Sequence, residues 1–75
     1  MEPYKNLSGV SNVTAYEIGS DSIKVQFKDG GLYRYDARSA GHENVEEMKT
    51  LAVAGRGLNT FINQHVRKDY AEKLA

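Results

Sequence analysis

The stretch VTAYEIGSDSIKVQFKDGGLYRYDA, residues 13–37, decides the fold. Three runs rich in β-branched and aromatic residues, 13–18, 23–27 and 32–37, are separated by the polar segments 19–22 and 29–31. The middle run, IKVQF, strictly alternates apolar and polar residues, which is typical of a strand with one buried face. Because Gly and Asp punctuate the gaps between the runs, we predict a three-stranded antiparallel meander.

The pairing register follows from the lengths of the two loops. A four-residue loop at 19–22 and a three-residue loop at 29–31 place every apolar strand residue on one face, whereas a two-residue second turn mixes the faces. The expected cross-strand pairs are Ile18–Ile23, Tyr16–Val25, Val25–Tyr35 and Phe27–Tyr33. On the other face we expect a row of alternating charge made by Glu17, Lys24 and Asp36, with Gln26 beside Arg34.

Two segments downstream of the meander have helical spacing. Asn44 and Glu47 resemble a capping box at the start of the first helix, and Gly55 is a natural C-terminal stop. The first apolar stripe contains Val45, Met48, Leu51 and Ala52, and the second contains Leu58, Phe61, Ile62, His65 and Val66. We expect the second helix to end near Lys68. The predicted fold is α+β, with a three-stranded antiparallel β-meander followed by two short helices packed on one sheet face.

A chain of 75 residues has room for one domain. Residues 1–9 are polar and contain the only Pro, so we expect a loose N-terminal arm. Residues 10–70 form the single β-β-β-α-α domain, and residues 71–75 form a C-terminal tail or the end of the second helix. The chain has no Cys, which fits a reducing compartment and predicts a cytoplasmic location.

Composition excludes several kinds of chemistry. Without Cys there is no thiol catalysis or Cys-ligated zinc, and with only two His we expect no metal site and no cofactor. No apolar run reaches 18 residues and the segment MEPYKNLSG lacks an apolar core, so we expect neither a membrane span nor a secretory signal.

The sequence carries no catalytic motif. We interpret His42 as an exposed residue just before the first helix and His65 as a partly buried residue of the second helix stripe. No nucleophile elbow is present, and the helix dipole explains the acidic residues near the first helix start. We therefore expect no catalytic residues and no enzymatic activity.

The best candidate for phosphate binding is the segment Gly55-Arg56-Gly57 between the helices. Glycines leave backbone N–H groups accessible, a helix N-terminus attracts anions, and an Arg side chain can close on a phosphate. The alternative is that the glycines only cap the helices and that Arg56 is solvated.

Charge is segregated along the chain although it sums to zero. Residues 49–68 contain four cations, Lys49, Arg56, Arg67 and Lys68, and no acidic residue. Such a basic side can bind a nucleic-acid backbone, but an ordinary solvated surface can have the same pattern. The candidate nucleic-acid contacts are Arg56 at the centre, Arg67 and Lys68 at the far end of the second helix, and Lys28 and Arg34 if the open sheet face continues into that surface.

Tyr33 and Tyr35 share a face, as stacking platforms in RNA-binding sheets do. The register places that face under the helices, which favours core packing with the hydroxyls at the rim. Whether this pair belongs to the core or faces a ligand stays open at this stage.

Two sets of residues resemble the KTSC family, named for a C-terminal extension of some lysyl-tRNA synthetases. Phe27, the Gly30-Gly31 turn and Tyr33-Arg34-Tyr35 are similar to its central segment, and Gly55, Asn59 and Ile62 are similar to its closing G-x-x-x-N-x-x-I pattern. The likeness covers 13–70, but the Val-Pro that usually follows the Tyr pair is absent, Val53 replaces a common Ser, and Tyr70 lies further from Gly55 than in the family pattern. The resemblance implies a small stand-alone bacterial or phage protein, for which RNA binding has been suggested.

Two classes of function follow. The first is a small non-enzymatic binding module that contacts RNA or another nucleic acid through backbone phosphates. The second is a protein–protein interaction adaptor with no nucleic-acid affinity, which the zero net charge favours. The identity of the partner and the oligomeric state are not predicted.

Overall fold

The computed structural model describes all 75 residues and has a five-stranded antiparallel sheet in the order β1-β2-β3-β4-β5. The elements are β1 (Glu2–Pro3), β2 (Val13–Ile18), β3 (Ser22–Phe27), β4 (Leu32–Asp36), α1 (Ala37–Ala40), α2 (His42–Ala54), α3 (Leu58–Phe61) and β5 (Glu72–Lys73). A π-helical segment, Ile62–Val66, continues directly from α3. The α+β class and the central meander are confirmed, whereas the predicted count of three strands and two helices is corrected to five strands and three α-helices.

The two additional strands come from the chain ends. β1 pairs with β2, and β5 pairs with β4, so each covers one edge of the meander. The segment 1–9 is therefore not a loose arm: Tyr4 lies in the core with 6% of its surface exposed, and the Leu7 amide donates to the Gly55 carbonyl at 2.7 Å. One buried aromatic in a polar segment has no periodicity, which explains why the sequence pattern missed it. The segment 71–75 likewise contains the short strand β5, Glu72–Lys73, and is not a helix end.

The β2–β3 register is confirmed, with Tyr16 opposite Val25 and Ile18 opposite Ile23. The predicted β3–β4 register is wrong by two residues, because Val25 lies opposite Tyr33 and Ile23 opposite Tyr35.

The turn explains the shift between β3 and β4. The loop residues are 28–30, with the Phe27 amide donating to the Gly31 carbonyl and Gly30 in the left-handed region at φ +92°. Asp29 Oδ1 accepts a hydrogen bond from the Gly31 amide at 2.8 Å, which holds the turn in this form. A shift of two residues preserves the face of every side chain, so the predicted buried face is unaffected. It does change the outer row, where Lys24 lies opposite Arg34, not Asp36, and Gln26 lies opposite Leu32.

The core lies between the inner sheet face and the helices. The most buried side chains are those of Tyr35, Ile23, Met48, Leu58, Val13, Val25, Val45 and Val66. Leu51 and Phe61, which belong to the two predicted helix stripes, pack against this core while staying partly exposed. His65, also in the second stripe, is exposed and its ring lies 4.6 Å from that of Phe61.

The helix ends differ in part from expectation. Gly55 ends α2 in the left-handed region at φ +80°, as predicted, but α2 begins at His42 and the expected Asn44–Glu47 capping box is absent. The Asn44 side chain instead donates to the Ala40 carbonyl at 2.8 Å. The capping box of this protein is formed by Asp36 and Ser39 at the start of α1. The short helix α1 was not predicted, and α2 begins two residues before the predicted N-cap at Asn44.

Candidate functional site

A cleft of about 510 Å³ opens between the β3–β4 turn and the helix that follows Gly57. It is lined by Asn12, Phe27, Lys28, Asp29, Tyr33, Tyr35, Asn59, Ile62, Asn63, Arg67 and Tyr70. Its volume lies within the range of ~300–1,000 Å³ that is typical of small-molecule and cofactor sites. We refer to it as the aromatic cleft.

Aromatic rings form one side of the aromatic cleft. The rings of Phe27 and Tyr33 meet edge to face, with centroids 5.7 Å apart. Tyr70 lies against this pair, with its centroid 4.9 Å from that of Tyr33 and 6.4 Å from that of Tyr35. Tyr70 retains 38% of its surface exposed, so part of its ring is free for a ligand. The Ala71 amide donates to the Arg34 carbonyl at 2.6 Å, so the residue after Tyr70 is tied to β4.

The Tyr35 hydroxyl is a polar group at the floor of the aromatic cleft. Tyr35 is 2% exposed, and no side-chain hydrogen bond within the protein uses its hydroxyl. No buried side-chain nitrogen or oxygen lacks a partner, so the small exposed area of Tyr35 includes the hydroxyl oxygen. Burial, together with the smaller effect of the neighbouring Tyr33, Tyr70 and Asp69, raises the pKa of Tyr35 to about 12. The hydroxyl is therefore a neutral donor and acceptor open to a ligand.

Two cations reach the aromatic cleft from different elements. Lys28 lies in the β3–β4 turn, and Arg67 follows the π-helical segment. Both side chains are exposed, and neither takes part in any of the four ion pairs of the protein. Asp29 is the one carboxylate in the lining, and one of its oxygens already accepts the Gly31 amide. The lining therefore has a net positive charge of one, because two cations face one carboxylate.

Side-chain amides complete the lining on the helical side. Asn59 is half-buried in α3, and Asn63 lies one turn later in the π-helical segment. Neither amide hydrogen-bonds to another group of the protein, so both keep their donors and acceptors free. π-Helical turns inside helices occur frequently at functional sites, and this one lies between Asn59 and Arg67.

Four of the five residues of the family-like motif meet in the aromatic cleft. Tyr33 and Tyr35 come from β4, while Asn59 and Ile62 come from the helix that faces it. Gly55, the fifth, is buried at the other end of that helix, where a Cβ atom would lie 2.6 Å from Cβ of Lys5. Both alternatives for the Tyr pair hold in part: Tyr35 is a core residue, and Tyr33 and Tyr35 both line the aromatic cleft.

Among the five predicted nucleic-acid contacts, the structure brings only Lys28 and Arg67 into the aromatic cleft. Arg34 lies on the open sheet face, where its Nε is 3.0 Å from Glu72 Oε1 and its Nη1 is 2.9 Å from Asp36 Oδ2. Hydrogen bonds to Glu72 and then to Asp36 raise the pKa of Arg34. Two of its five N–H donors are therefore engaged by carboxylates, and Arg34 does not line the aromatic cleft.

Arg56 and Lys68 are exposed but do not line the aromatic cleft. Arg56 lies between Gly55 and Gly57, both in the left-handed region. The N-terminal segment packs against this turn, since the Leu58 amide donates to the Tyr4 hydroxyl at 3.4 Å. The first amide of α3 therefore donates to a core tyrosine, so the turn has one fewer N–H group available to bind an anion. That Arg56 binds phosphate stays a prediction.

A second groove of about 460 Å³ lies elsewhere on the molecule. It is lined by Met1, Glu2, Tyr16, Glu17, Ile18 and Val53. Met1, Ile18 and Val53 are exposed over 42–56% of their surface. We refer to it as the Val53 groove.

No three His, Asp or Glu side chains are grouped so that they could hold a metal ion. None of the helices combines the length and apolar character that a membrane span requires.

Comparison of the chain with family models, curated proteins and solved structures finds no match.

Sequence reasoning missed Asn12, Asn63 and Tyr70 as members of the site. Asn63 was detectable in principle, because it lies four residues after Asn59 and four before Arg67, on one side of a helix. Tyr70 and Asn12 lie in irregular segments, where the sequence has no helix or strand periodicity from which their positions could be predicted.

Proposed function

We propose that this protein is a small non-enzymatic binding module that contacts single-stranded nucleic acid, with RNA as the first candidate, at the aromatic cleft. One observation carries the proposal: Lys28 and Arg67, exposed and unpaired, reach the same cleft beside the rings of Phe27, Tyr33 and Tyr70. A basic groove with aromatic side chains is the usual design of single-strand binding sites.

Two features of the sequence support the proposal. Its motif residues resemble those of the KTSC family, with its suggested link to RNA, and four of them line the aromatic cleft. The absence of Cys fits the cytoplasmic location that such a module needs.

The test is a fluorescence-polarisation titration of a single-stranded RNA of about twelve nucleotides at several salt concentrations. We expect the dissociation constant to rise with salt, with a logarithmic slope of about 0.7 for each phosphate neutralised. Arg67→Ala and Lys28→Ala should each lower that slope by about 0.7–1 and weaken all sequences alike.

Arg56→Ala and Lys68→Ala are the matched controls, because each removes one exposed cation outside the aromatic cleft. Both should keep the wild-type slope. If Arg56→Ala lowers the slope and Arg67→Ala does not, the phosphates bind at the inter-helix turn instead. Absence of binding at every salt concentration contradicts the proposal and favours the adaptor.

The second candidate function is a protein–protein interaction adaptor, and the Val53 groove favours it. Its three exposed apolar side chains, Met1, Ile18 and Val53, are of the kind that protein interfaces cover. This function predicts that Val53→Asp abolishes partner capture while RNA affinity is absent in the wild-type protein.

A further inference from the structure

The aromatic cleft has polar groups that a phosphate backbone does not use. We infer, on the basis of the proposed function, that one unstacked nucleobase of the strand enters the aromatic cleft, where its edge hydrogen-bonds to the Tyr35 hydroxyl and the Asn59 amide. The phosphates beside that nucleotide then contact Lys28 and Arg67.

The Tyr35 hydroxyl is the first reason. Its residue is 2% exposed, and its oxygen opens on the aromatic cleft without a protein partner. A buried polar group without a partner is costly, so this hydroxyl is satisfied by water or by a ligand. A lipid chain is apolar, so it would displace the water and leave the hydroxyl without a hydrogen-bond partner. The aromatic cleft is therefore poorly suited to a lipid chain.

The side-chain amides are the second reason. Asn59 is half-buried in the lining with both its donor and its acceptor unused, and Asn63 adds a second free amide nearer the rim. Base edges present donors and acceptors side by side, and an amide can satisfy both at once. Phosphate oxygens only accept, so a site made for phosphate alone has no use for the amide oxygens.

The aromatic rings are the third reason. Tyr70 lines the aromatic cleft with 38% of its surface exposed, and its ring packs in a tilted contact on that of Tyr33, with the centroids 4.9 Å apart. Stacking on such a ring accepts any base, since every base has a π-face. The same ring cannot stack on a base inside a duplex without that base leaving the helix. The aromatic cleft therefore favours single strands over duplexes.

The test compares the binding of two strands of equal length and charge: a single-stranded oligonucleotide of about twelve nucleotides and the corresponding abasic strand. We expect the abasic strand to bind roughly tenfold or more weakly, because base stacking and edge contacts are lost while the phosphates remain. Tyr35→Phe removes only the hydroxyl, so it should weaken the base-containing strand about threefold to tenfold and leave the abasic strand unchanged.

Tyr16→Phe is the matched control, because Tyr16 lies on the same sheet face but lines the Val53 groove. It should change neither affinity. Equal affinity of the two strands, or an equal effect of Tyr35→Phe on both, overturns the base-insertion inference and leaves the phosphate contact standing. Failure of both strands to bind overturns the proposed function itself.

Discussion

At the residue scale, Tyr35 has two roles. Its ring packs against the core from β4, and its hydroxyl reaches the aromatic cleft. A Phe at this position would serve packing equally well. Burial of the hydroxyl therefore has a desolvation cost that core packing does not require, and such a cost is expected for a group that binds a ligand.

The elevated pKa of Tyr35 gives a prediction about stability at high pH. The folded pKa is about 12 and the ordinary value is 10.0, so the unfolded chain loses this proton first. The contribution of Tyr35 to stability is fully present below pH 10 and is lost between about pH 10 and 12, amounting to about 2–3 kcal/mol at the upper end.

Urea denaturation of the wild-type protein and Tyr35→Phe across pH 8–12 tests this prediction. The difference in the free energy of unfolding should be constant below pH 10, and the wild-type protein should then lose stability faster. Parallel curves up to pH 12 would show that the hydroxyl is not desolvated.

At the element scale, the N-terminal segment is part of the fold. Tyr4 is one of the twelve residues of the core, and its hydroxyl accepts the Leu58 amide at the start of α3. Its backbone amide donates to the Thr14 carbonyl at 2.9 Å, which extends the pairing of β1 with β2.

Tyr4→Ala should therefore lower the free energy of unfolding by about 3–5 kcal/mol, the usual loss for a large buried aromatic. The exposed neighbour Lys5 provides the control, and Lys5→Ala should stay within about 0.5 kcal/mol of the wild type. Thermal or urea denaturation measures both. Equal stability of Tyr4→Ala and the wild type would mean that residues 1–9 are a loose arm after all.

Strand pairing shows what local patterns can and cannot specify. The alternation of IKVQF and the loop at 19–22 predicted the buried face and the β2–β3 register correctly. The β3–β4 register failed because Asp29-Gly30-Gly31 offers two glycines, either of which can take the left-handed position, and both choices bury the same face. The choice depends on the Asp29 hydrogen bond to Gly31 and on packing beyond the turn.

At the scale of the whole molecule, the aromatic cleft exists because the two chain ends return to the sheet. β5 carries the chain back along β4 after Tyr70, and the contact of Tyr4 with Leu58 fixes the start of the helix that forms the opposite side. Residues 33, 35, 59 and 62 were singled out from the sequence, but their convergence depends on these long-range contacts. Tyr70 and Asn12 could not be predicted for the same reason.

Charge is distributed unevenly over the whole molecule. The net charge is zero, yet Arg34, Lys24 and Lys49 are held in ion pairs while Lys28 and Arg67 are free beside the aromatic cleft. The cations that matter for a polyanion are those without a carboxylate partner, and only the folded structure distinguishes them.

The most direct test of the central claim, that the aromatic cleft is the binding site, is amide chemical-shift mapping of the ¹⁵N-labelled protein during titration with single-stranded RNA. We expect the largest shifts at the cleft residues Lys28, Tyr33, Asn63 and Arg67, with little change at Arg56 or around Val53. Shifts centred on Arg56 or on Val53, with the cleft residues unmoved, would contradict it.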